Sequence, residues 1–372
     1  MKDNYFYLLS SNATKEYLMD ILEVLALPFG TVQHFRYQLR WLDSELKKEL
    51  PLKDSKNKKL KDQNVVVCYL YQKIVNGKWE WDFIYPIRLG KIVSAYKTGD
   101  SDTDIAHFYF KVENYVLYNE QNYADIIKNI AERKWGNCYA FLGGAFDAKF
   151  IAKEGESKSA FNKICNSINL EHLKAPEGTW YSPVFCFVEG FRDEGGRIIT
   201  PKFNNFIRKS YFEIFEGAHY AFEFSTFFPD QQKLSSGSVK LITDEKVFSS
   251  PPTNVLVISS HYDEESFSIV PKLLERDIFT LIIFKTKFSE KIEKREFLNI
   301  KITFPIKIKR KMIYRILEIG GDLGFAFGTG VIAFAKVIEN KWPWFDQNWF
   351  WFVLIFYILF AISKVICKFW RG

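Results

Sequence analysis

The run VVVCYLYQ at residues 65–72 decides the fold class of this chain. Its β-branched and aromatic side chains favour the pleated, partly buried surface of a β-strand. Two runs of similar character follow, WEWDFIYPI at 79–87 and HFYFKV at 107–112. Because the three runs follow one another closely, the sequence predicts that they form an antiparallel sheet.

The residues around this sheet predict two helices and one further strand. Apolar positions between residues 14 and 27 recur at helical spacing, and Pro28 ends the pattern. Residues 33–42 alternate polar with aromatic or apolar side chains, which indicates a strand. Residues 123–135 have a helical pattern. We therefore assign residues 1–155 to an N-terminal α+β domain.

The second half of the soluble part predicts a β-sandwich-like domain over residues 156–306. Short strand-like runs recur there at the spacing typical of a sandwich. They lie at 184–189, 219–228, 239–243, 255–259, 266–270, 279–285 and 298–304.

Composition narrows the function classes. The 372 residues are 48% hydrophobic, 26% charged and 18% aromatic, which excludes a disordered or coiled-coil chain. A net charge of +7 is too small for a dedicated nucleic-acid binder. The five cysteines lack CxxC spacing, and residues 1–9 lack the apolar core of a secretory signal, so we expect reduced thiols facing a cytosol.

Residues 307–372 are predicted to form a membrane region with two helices. The run WFWFVLIFYILFAI at 349–362 carries no charge, and its extension to 367 nearly spans a hydrocarbon core of about 30 Å. A second apolar segment lies at 316–338. Basic residues on both outer flanks place both termini in the cytoplasm of a multi-pass membrane protein. The alternative for residues 349–362 is a buried core helix or strand.

On a helical wheel, residues 316–338 divide into a polar stripe and a glycine face. In a homo-oligomer the stripe would line a pore, and the glycines would let neighbouring helices approach closely. The predicted pore-lining residues are Glu318, Asp322, Thr329, Ala333 and Lys336, and the predicted packing residues are Gly320, Gly324 and Gly328. The alternatives are a re-entrant or interfacial helix and a helix hairpin that conducts no ions.

No catalytic motif was found, so the sequence predicts a protein that is not an enzyme. Walker, GxSxG, HExxH and GxGxxG patterns are absent, and the five histidines lack metal-ligand spacing. No metal or cofactor is predicted.

The best candidate for ligand binding is the segment HFRYQLRW at 34–41. On a strand its basic residues share one face, where arginines can hold phosphates, and aromatic rings can stack on bases. The predicted ligand-binding residues are His34, Arg36, Arg40, Lys47 and Lys48. The alternative is a half-buried strand with a solvated polar face. A second basic cluster suits a solvated face or anionic lipid headgroups and contains Arg192, Arg197, Lys202, Arg208 and Lys209.

The layout of a β-rich module, a basic collar at 307–315, a Gly-rich segment and a Trp-rich segment resembles the membrane effectors of bacterial anti-phage systems, in particular the Hailong type. The resemblance implies a homo-oligomeric channel in the lipid bilayer of the bacterial inner membrane that acts in abortive infection. It also implies that the cytosolic part, with the N-terminal domain at 1–155 as a sensor domain, senses a nucleotide or oligonucleotide made by a partner nucleotidyltransferase. The alternative functions are a membrane-anchored adaptor or scaffold that binds a protein partner and, less favoured, an anchored enzyme.

Overall fold

The computed structural model describes residues 5–53, 60–117, 138–143, 146–153, 155–168, 180–181, 184–228, 237–249, 253–258, 262–288 and 296–311, with the single residues 355, 358, 359 and 362. Strands account for 54% and helices for 16% of this part of the chain.

The N-terminal module is built on one six-stranded sheet in the order β2-β5-β4-β3-β1-β6. Its strands are β1 (Phe6–Ser11), β2 (Val32–Gln38), β3 (Asn64–Val75), β4 (Lys78–Lys97), β5 (Ile105–Tyr115) and β6 (Ala140–Leu142). Its helices are α1 (Lys15–Ala26) and α2 (Ser44–Glu49), with a 3₁₀ turn at Leu39–Trp41. The pair β1–β3 is parallel, and the other strand pairs are antiparallel.

The sheet curls until its two outer strands approach each other. The chain after β2 meets β6 through a bridge between Leu42 and Ala140, and the Tyr139 N–H donates to the Trp41 carbonyl at 2.8 Å. Beyond this bridge, a gap separates β1 from β2, and across it the Tyr37 hydroxyl donates to the Leu9 carbonyl at 3.0 Å. We call this gap between β1 and β2 the seam.

Helix α1 packs its apolar face, including Leu18, Ile21 and Leu22, into the core. It begins where the Thr14 hydroxyl accepts a hydrogen bond from the Tyr17 N–H. At its C-terminal end, the fully buried Arg88 donates from Nη1 to the carbonyls of Val24, Leu25 and Leu27, at 3.0–3.3 Å. This cation takes the place of the missing helical donors.

The C-terminal module contains two sheets, in the orders β13-β12-β15-β17-β10-β9 and β14-β11-β8. Its strands are β8 (Phe185–Asp193), β9 (Lys202–Asn204), β10 (Lys209–Phe215), β11 (Tyr220–Phe227), β12 (Gly237–Ile242), β13 (Thr253–Ile258), β14 (Tyr262–Ile269), β15 (Ile278–Phe288) and β17 (Lys301–Lys309). Helix α3 (Ser157–Ser167) precedes the module, and β7 (Trp180–Tyr181) pairs in parallel with β16 (Glu296–Phe297).

Phenylalanines fill the space between these two sheets. Phe222 on β11 packs against Phe284 at 5.8 Å and against Phe304 at 5.4 Å between ring centroids. Phe191 on β8 lies 4.8 Å from Phe212 on β10. Tilted and edge-on pairs of this kind add about 0.5–1.5 kcal/mol each beyond burial.

The two modules are in direct contact. The Val32 N–H at the start of β2 donates to the Ser210 hydroxyl on β10 at 2.7 Å. Beside it, Gly30 has φ +86°, and a Cβ there would lie 3.2 Å from the Pro201 ring. Glycine therefore meets both the backbone and the spatial requirement of this junction.

The predicted fold class, an α+β chain with an antiparallel sheet, a sandwich and a C-terminal membrane hairpin, is wrong. The described part is β-rich with three α-helices, and its first sheet is mixed because β1 lies parallel to β3. A parallel central strand is buried on both faces and shows no alternation from which its direction could be predicted.

The membrane interpretation is also corrected. Among the described residues, the structure contains no helix whose length and apolarity would let it cross a bilayer. This finding overturns the multi-pass inner-membrane location and the channel and pore interpretation. An uncharged aromatic run satisfies a hydropathy window whether protein or lipid covers it, so hydropathy alone did not decide the matter.

The predicted pore-lining residues Glu318, Asp322, Thr329, Ala333 and Lys336, and the glycines Gly320, Gly324 and Gly328, lie outside the described residues. Of the second predicted span, only Ile355, Ile358, Leu359 and Ile362 are described; all four are helical and about half exposed.

Candidate functional site

Strand β2 presents its predicted basic residues on the outer face of the first sheet. Phe35 points into the core, so His34 and Arg36 point outward. In the antiparallel register with β5, His34 lies opposite Tyr109, and Arg36 lies opposite His107. The site therefore extends across at least two strands.

Four rings form a layer on this face, which we call the ring layer: Tyr96, His107, His34 and Tyr109. His34 stacks on Tyr109 with the centroids 4.1 Å apart and the planes 4° from parallel. His107 lies 4.8 Å from Tyr96. His34 Nε2 and His107 Nδ1 are 3.0 Å apart, so one imidazole donates a hydrogen bond to the other.

Arg208 from the C-terminal module completes the site. It lies in the turn between β9 and β10 with φ 51°, an uncommon value for a side-chain-bearing residue. Its guanidinium carbon lies 4.7 Å from the Tyr96 ring centroid and 5.5 Å from that of Tyr109. The contacts are cation–π contacts between the two modules.

Next to the ring layer lies a cleft of about 440 Å³ between β4 and the β9–β10 turn. We call it the junction cleft; its lining residues are Pro51, Leu60, Lys61, Val93, Ser94, Ala95, Phe203, Asn205 and Arg208. Lys61 and Arg208 supply positive charge, and no carboxylate is among these lining residues. Ser94 and Asn205 supply neutral hydrogen-bonding groups.

Both histidines of the ring layer have a pKa below the ordinary value, chiefly because they are partly buried. Burial, then His107, Arg36 and Arg208, lower the pKa of His34 to about 4. Burial first, and then Arg36, Arg208 and Lys53, lower the pKa of His107. Burial disfavours either charge, so only the smaller contributions of the nearby arginines indicate positive surroundings that would favour an anion.

The other predicted ligand residues lie away from the ring layer. Arg40 covers the Trp41 ring at 4.8 Å, and Lys47 forms an ion pair with Asp102 at 3.0 Å. Lys48 is exposed on α2. Of the five predicted residues, the structure thus brings only His34 and Arg36 next to the ring layer.

The second predicted basic cluster is largely neutralised by carboxylates. Arg192 pairs with Glu223 and Glu189, Arg197 with Asp193, and Lys202 with Glu213. Arg208 instead crosses to the aromatic rings of the N-terminal module.

The sequence did not single out Tyr96, His107 or Tyr109 as ligand residues. The alternation in HFYFKV could have indicated His107 and Tyr109, since these two residues share one face of β5. No local pattern links Arg208 to them, because they lie about a hundred residues earlier.

No group of three or more metal-ligating side chains occurs in the part of the chain that the structure describes. No family model matches the sequence, and a search of curated proteins found no match. The resemblance to anti-phage effectors therefore stays a prediction.

Proposed function

We propose that this chain is a non-enzymatic sensor that binds a nucleotide or oligonucleotide in the junction cleft. The observation that carries the proposal is Arg208, which reaches from one module onto the rings of the other beside a cleft whose described lining residues include no carboxylate. The phosphates of the ligand pair with Arg208 and Lys61, because a guanidinium binds phosphate oxygens in a bidentate manner.

The base of the ligand packs on aromatic and apolar side chains. Phe203 on β9 and Leu60 line the cleft, and Ser94 and Asn205 can hydrogen-bond to base edges or sugar hydroxyls. Stacking of a base on an aromatic ring contributes about 1–3 kcal/mol without demanding a particular base. A volume of about 440 Å³ lies within the range of small-ligand sites.

Because the lining residues come from both modules, ligand binding ties the modules together. Lys61 and Ser94 belong to the N-terminal module, whereas Phe203, Asn205 and Arg208 belong to the C-terminal module. A ligand that contacts both favours one relative arrangement of the modules, which is how a sensor converts binding into a change of shape.

Equilibrium binding tests the proposal with labelled mononucleotides and short oligonucleotides of each base at several salt concentrations. We expect Arg208→Gln and Lys61→Gln each to weaken binding about tenfold. For an oligonucleotide, log K falls as log salt rises, and each lost phosphate contact makes this negative slope less steep by about 0.7. Lys209→Gln, an exposed neighbour that does not line the cleft, is the control. Absence of binding by the wild type, or equal affinity in all variants, contradicts the proposal.

A second candidate is an adaptor that binds an extended acidic and apolar segment of a protein partner at β13. This edge strand exposes Val255 by 49% and Val257 by 73%. Across the sheet, Val255 is in register with Lys240 and Lys285, and Val257 is in register with Lys287. These lysines complement acidic side chains of an added strand. A peptide of alternating valine and glutamate should bind the wild type but not a Val255→Glu, Val257→Glu variant.

A further inference from the structure

A second pocket lies in the seam, where β1 and β2 approach each other. We call it the seam pocket; it measures about 100 Å³ and is lined by Leu9, Ser10, Tyr17, Asp20, Phe35, Arg36, Tyr37, Trp41 and Tyr139. Apart from Arg36, which points outward beside the ring layer, none of its charged or aromatic residues takes part in the nucleotide site described above.

Aromatic rings form the walls, and hydrogen bonds hold two of them in place. The Tyr37 hydroxyl donates to the Leu9 carbonyl, and the Tyr139 hydroxyl accepts from Gln72 Nε2, both at 3.0 Å. Trp41 lies edge-on to Tyr139 at 5.7 Å. Rings fixed in this way present faces that attract a cation.

Asp20 is the only acid among the lining residues. It is partly buried on α1, and it has no hydrogen bond and no ion pair within 4.0 Å to any residue in the described ranges. Arg36 lies close enough to act on it electrostatically, yet the two do not form an ion pair. One negative and one positive group thus line the same small pocket without neutralising each other by contact.

The electrostatics of Asp20 agree with this geometry. Burial is the main cause that raises its pKa to about 7; Glu23 and Glu16 on the same helix raise it further, and Arg36 lowers it. Glu23 is itself held by a hydrogen bond from Gln33. A partly buried carboxyl group without a partner is unfavourable for the fold, and a cationic ligand would relieve this cost.

We propose that the seam pocket binds a small zwitterion of the amino-acid type, whose ammonium group pairs with Asp20 among the aromatic rings and whose carboxylate pairs with Arg36. Both charges of the ligand are needed, because a lone amine leaves Arg36 without a counterion and a lone carboxylate leaves Asp20 without one. About 100 Å³ suits a molecule of this size and is too small for a nucleotide.

Calorimetric titration of the whole chain tests the proposal with four zwitterions of increasing length: glycine, β-alanine, γ-aminobutyrate and 5-aminopentanoate. Butylamine and butyrate are the single-charge probes. We expect at least one zwitterion to bind about tenfold more tightly than either single-charge probe. If no zwitterion binds, or if butylamine binds as tightly as the best zwitterion, the proposal is wrong.

Two variants assign the charges. Asp20→Asn should weaken binding of the best zwitterion about tenfold while leaving nucleotide affinity unchanged. Arg36→Gln should reduce the preference of the protein for this zwitterion over butylamine. Asp62→Asn, an exposed aspartate that does not line the pocket, should bind like the wild type. Thermal unfolding confirms that each variant is folded. Undiminished zwitterion binding in the folded Asp20→Asn protein overturns the assignment, whatever the outcome at the junction cleft.

Discussion

The imidazoles of His34 and His107 share one hydrogen bond, with Nε2 of the first 3.0 Å from Nδ1 of the second. Only one of these nitrogens can carry the shared proton. If both rings were protonated, two N–H groups would face each other beside Arg36 and Arg208. The pair therefore requires at least one neutral imidazole, and its strength depends on pH.

We predict that the fold loses stability as the pH falls from about 6.5 through about 4. Burial first, and then His107, Arg36 and Arg208, lower the pKa of His34 from 6.5 to about 4, so in this window the unfolded chain binds a proton that the folded chain does not. Above pH 6.5 the His34 imidazole is neutral in both the folded and the unfolded chain, so it no longer lowers the free energy of unfolding. After the discount for partial exposure, the loss is about 1 kcal/mol.

Urea unfolding between pH 4.5 and pH 8 measures this effect. His34→Gln should be less stable than the wild type at pH 8, and the difference should shrink towards pH 4.5. His219→Gln, on the exposed surface, should follow the wild-type pH profile. A constant difference between His34→Gln and the wild type across the range would show that His34 contributes no pH dependence.

Arg88 provides the second prediction, because it is fully buried and joins three parts of the N-terminal module. Besides the three carbonyls at the end of α1, its Nε donates to the Glu113 carbonyl at 3.0 Å, and its guanidinium lies 3.8 Å from the Tyr115 ring centroid. Arg88→Met keeps much of the volume but removes the guanidinium donors from these carbonyls; the Leu25 carbonyl keeps a hydrogen bond from the Tyr115 hydroxyl. We expect it to lower the free energy of unfolding by about 3 kcal/mol or more.

Chemical denaturation with circular dichroism detection measures that loss. Lys91→Met, on the same strand but exposed, should cost less than about 1 kcal/mol, since its only ion pair in the described structure is a 3.9 Å contact with Glu113. Similar losses in the two variants would mean that the carbonyl contacts of Arg88 do not stabilise the fold.

Local patterns predicted many elements correctly. The helical spacing at 14–27 is confirmed by α1, and the run at 65–72 lies within β3. The alternation that begins at residue 33 is confirmed as far as Gln38, after which the chain turns into a 3₁₀ helix. In α1 and β2 one face is more buried than the other, so the spacing of apolar residues identifies the element, whereas residues 65–70 of β3 are all buried and were recognised by their β-branched and aromatic composition.

One buried strand and the contacts between distant residues were not predicted from the sequence. Strand β1, FYLLSS, was not predicted: its six residues are buried without alternation, as in β3, but they include no β-branched residue. The outward positions of His34 and Arg36 followed from the period of β2. Their approach to Arg208 did not, because it depends on how the two modules pack.

Asp20 gives the third prediction, in which the loss of a charge increases stability. Its pKa rises from 3.8 to about 7 in the folded chain, chiefly through burial, so the fold favours the protonated form. The stabilisation by the protonated carboxyl group is complete below pH 3.8 and is lost as the pH rises through 7. The free energy of unfolding therefore falls by roughly 4 kcal/mol at most between these two limits.

Asparagine imitates the protonated carboxyl group at every pH. Asp20→Asn should therefore be more stable than the wild type at pH 8, and the difference should fall as the pH approaches 4. Thermal unfolding without added ligand measures both. Asp62→Asn, an exposed aspartate, is the control. A destabilised Asp20→Asn at pH 8 would mean that the ionised carboxylate has a favourable partner.

The last prediction concerns the coupling of the two modules. A nucleotide at 100 times its Kd should raise the free energy of unfolding by about 2.7 kcal/mol if it binds only the folded chain. Because the junction cleft takes residues from both modules, a probe in either module should report the same shift. Arg208→Gln, with its affinity about tenfold weaker, should reduce this shift to about 1.4 kcal/mol at the same nucleotide concentration, whereas Lys209→Gln should retain it.

Differential scanning calorimetry together with site-resolved hydrogen exchange distinguishes a ligand that contacts both modules from a ligand that contacts only one. If the ligand bridges the modules, protection should increase both at β4, around Ser94, and in the turn that carries Asn205 and Arg208. Protection confined to one module would mean that the ligand contacts only that side. The Val32–Ser210 hydrogen bond would then be the direct link between the modules at the start of β2, and the ring contacts of Arg208 would serve packing alone.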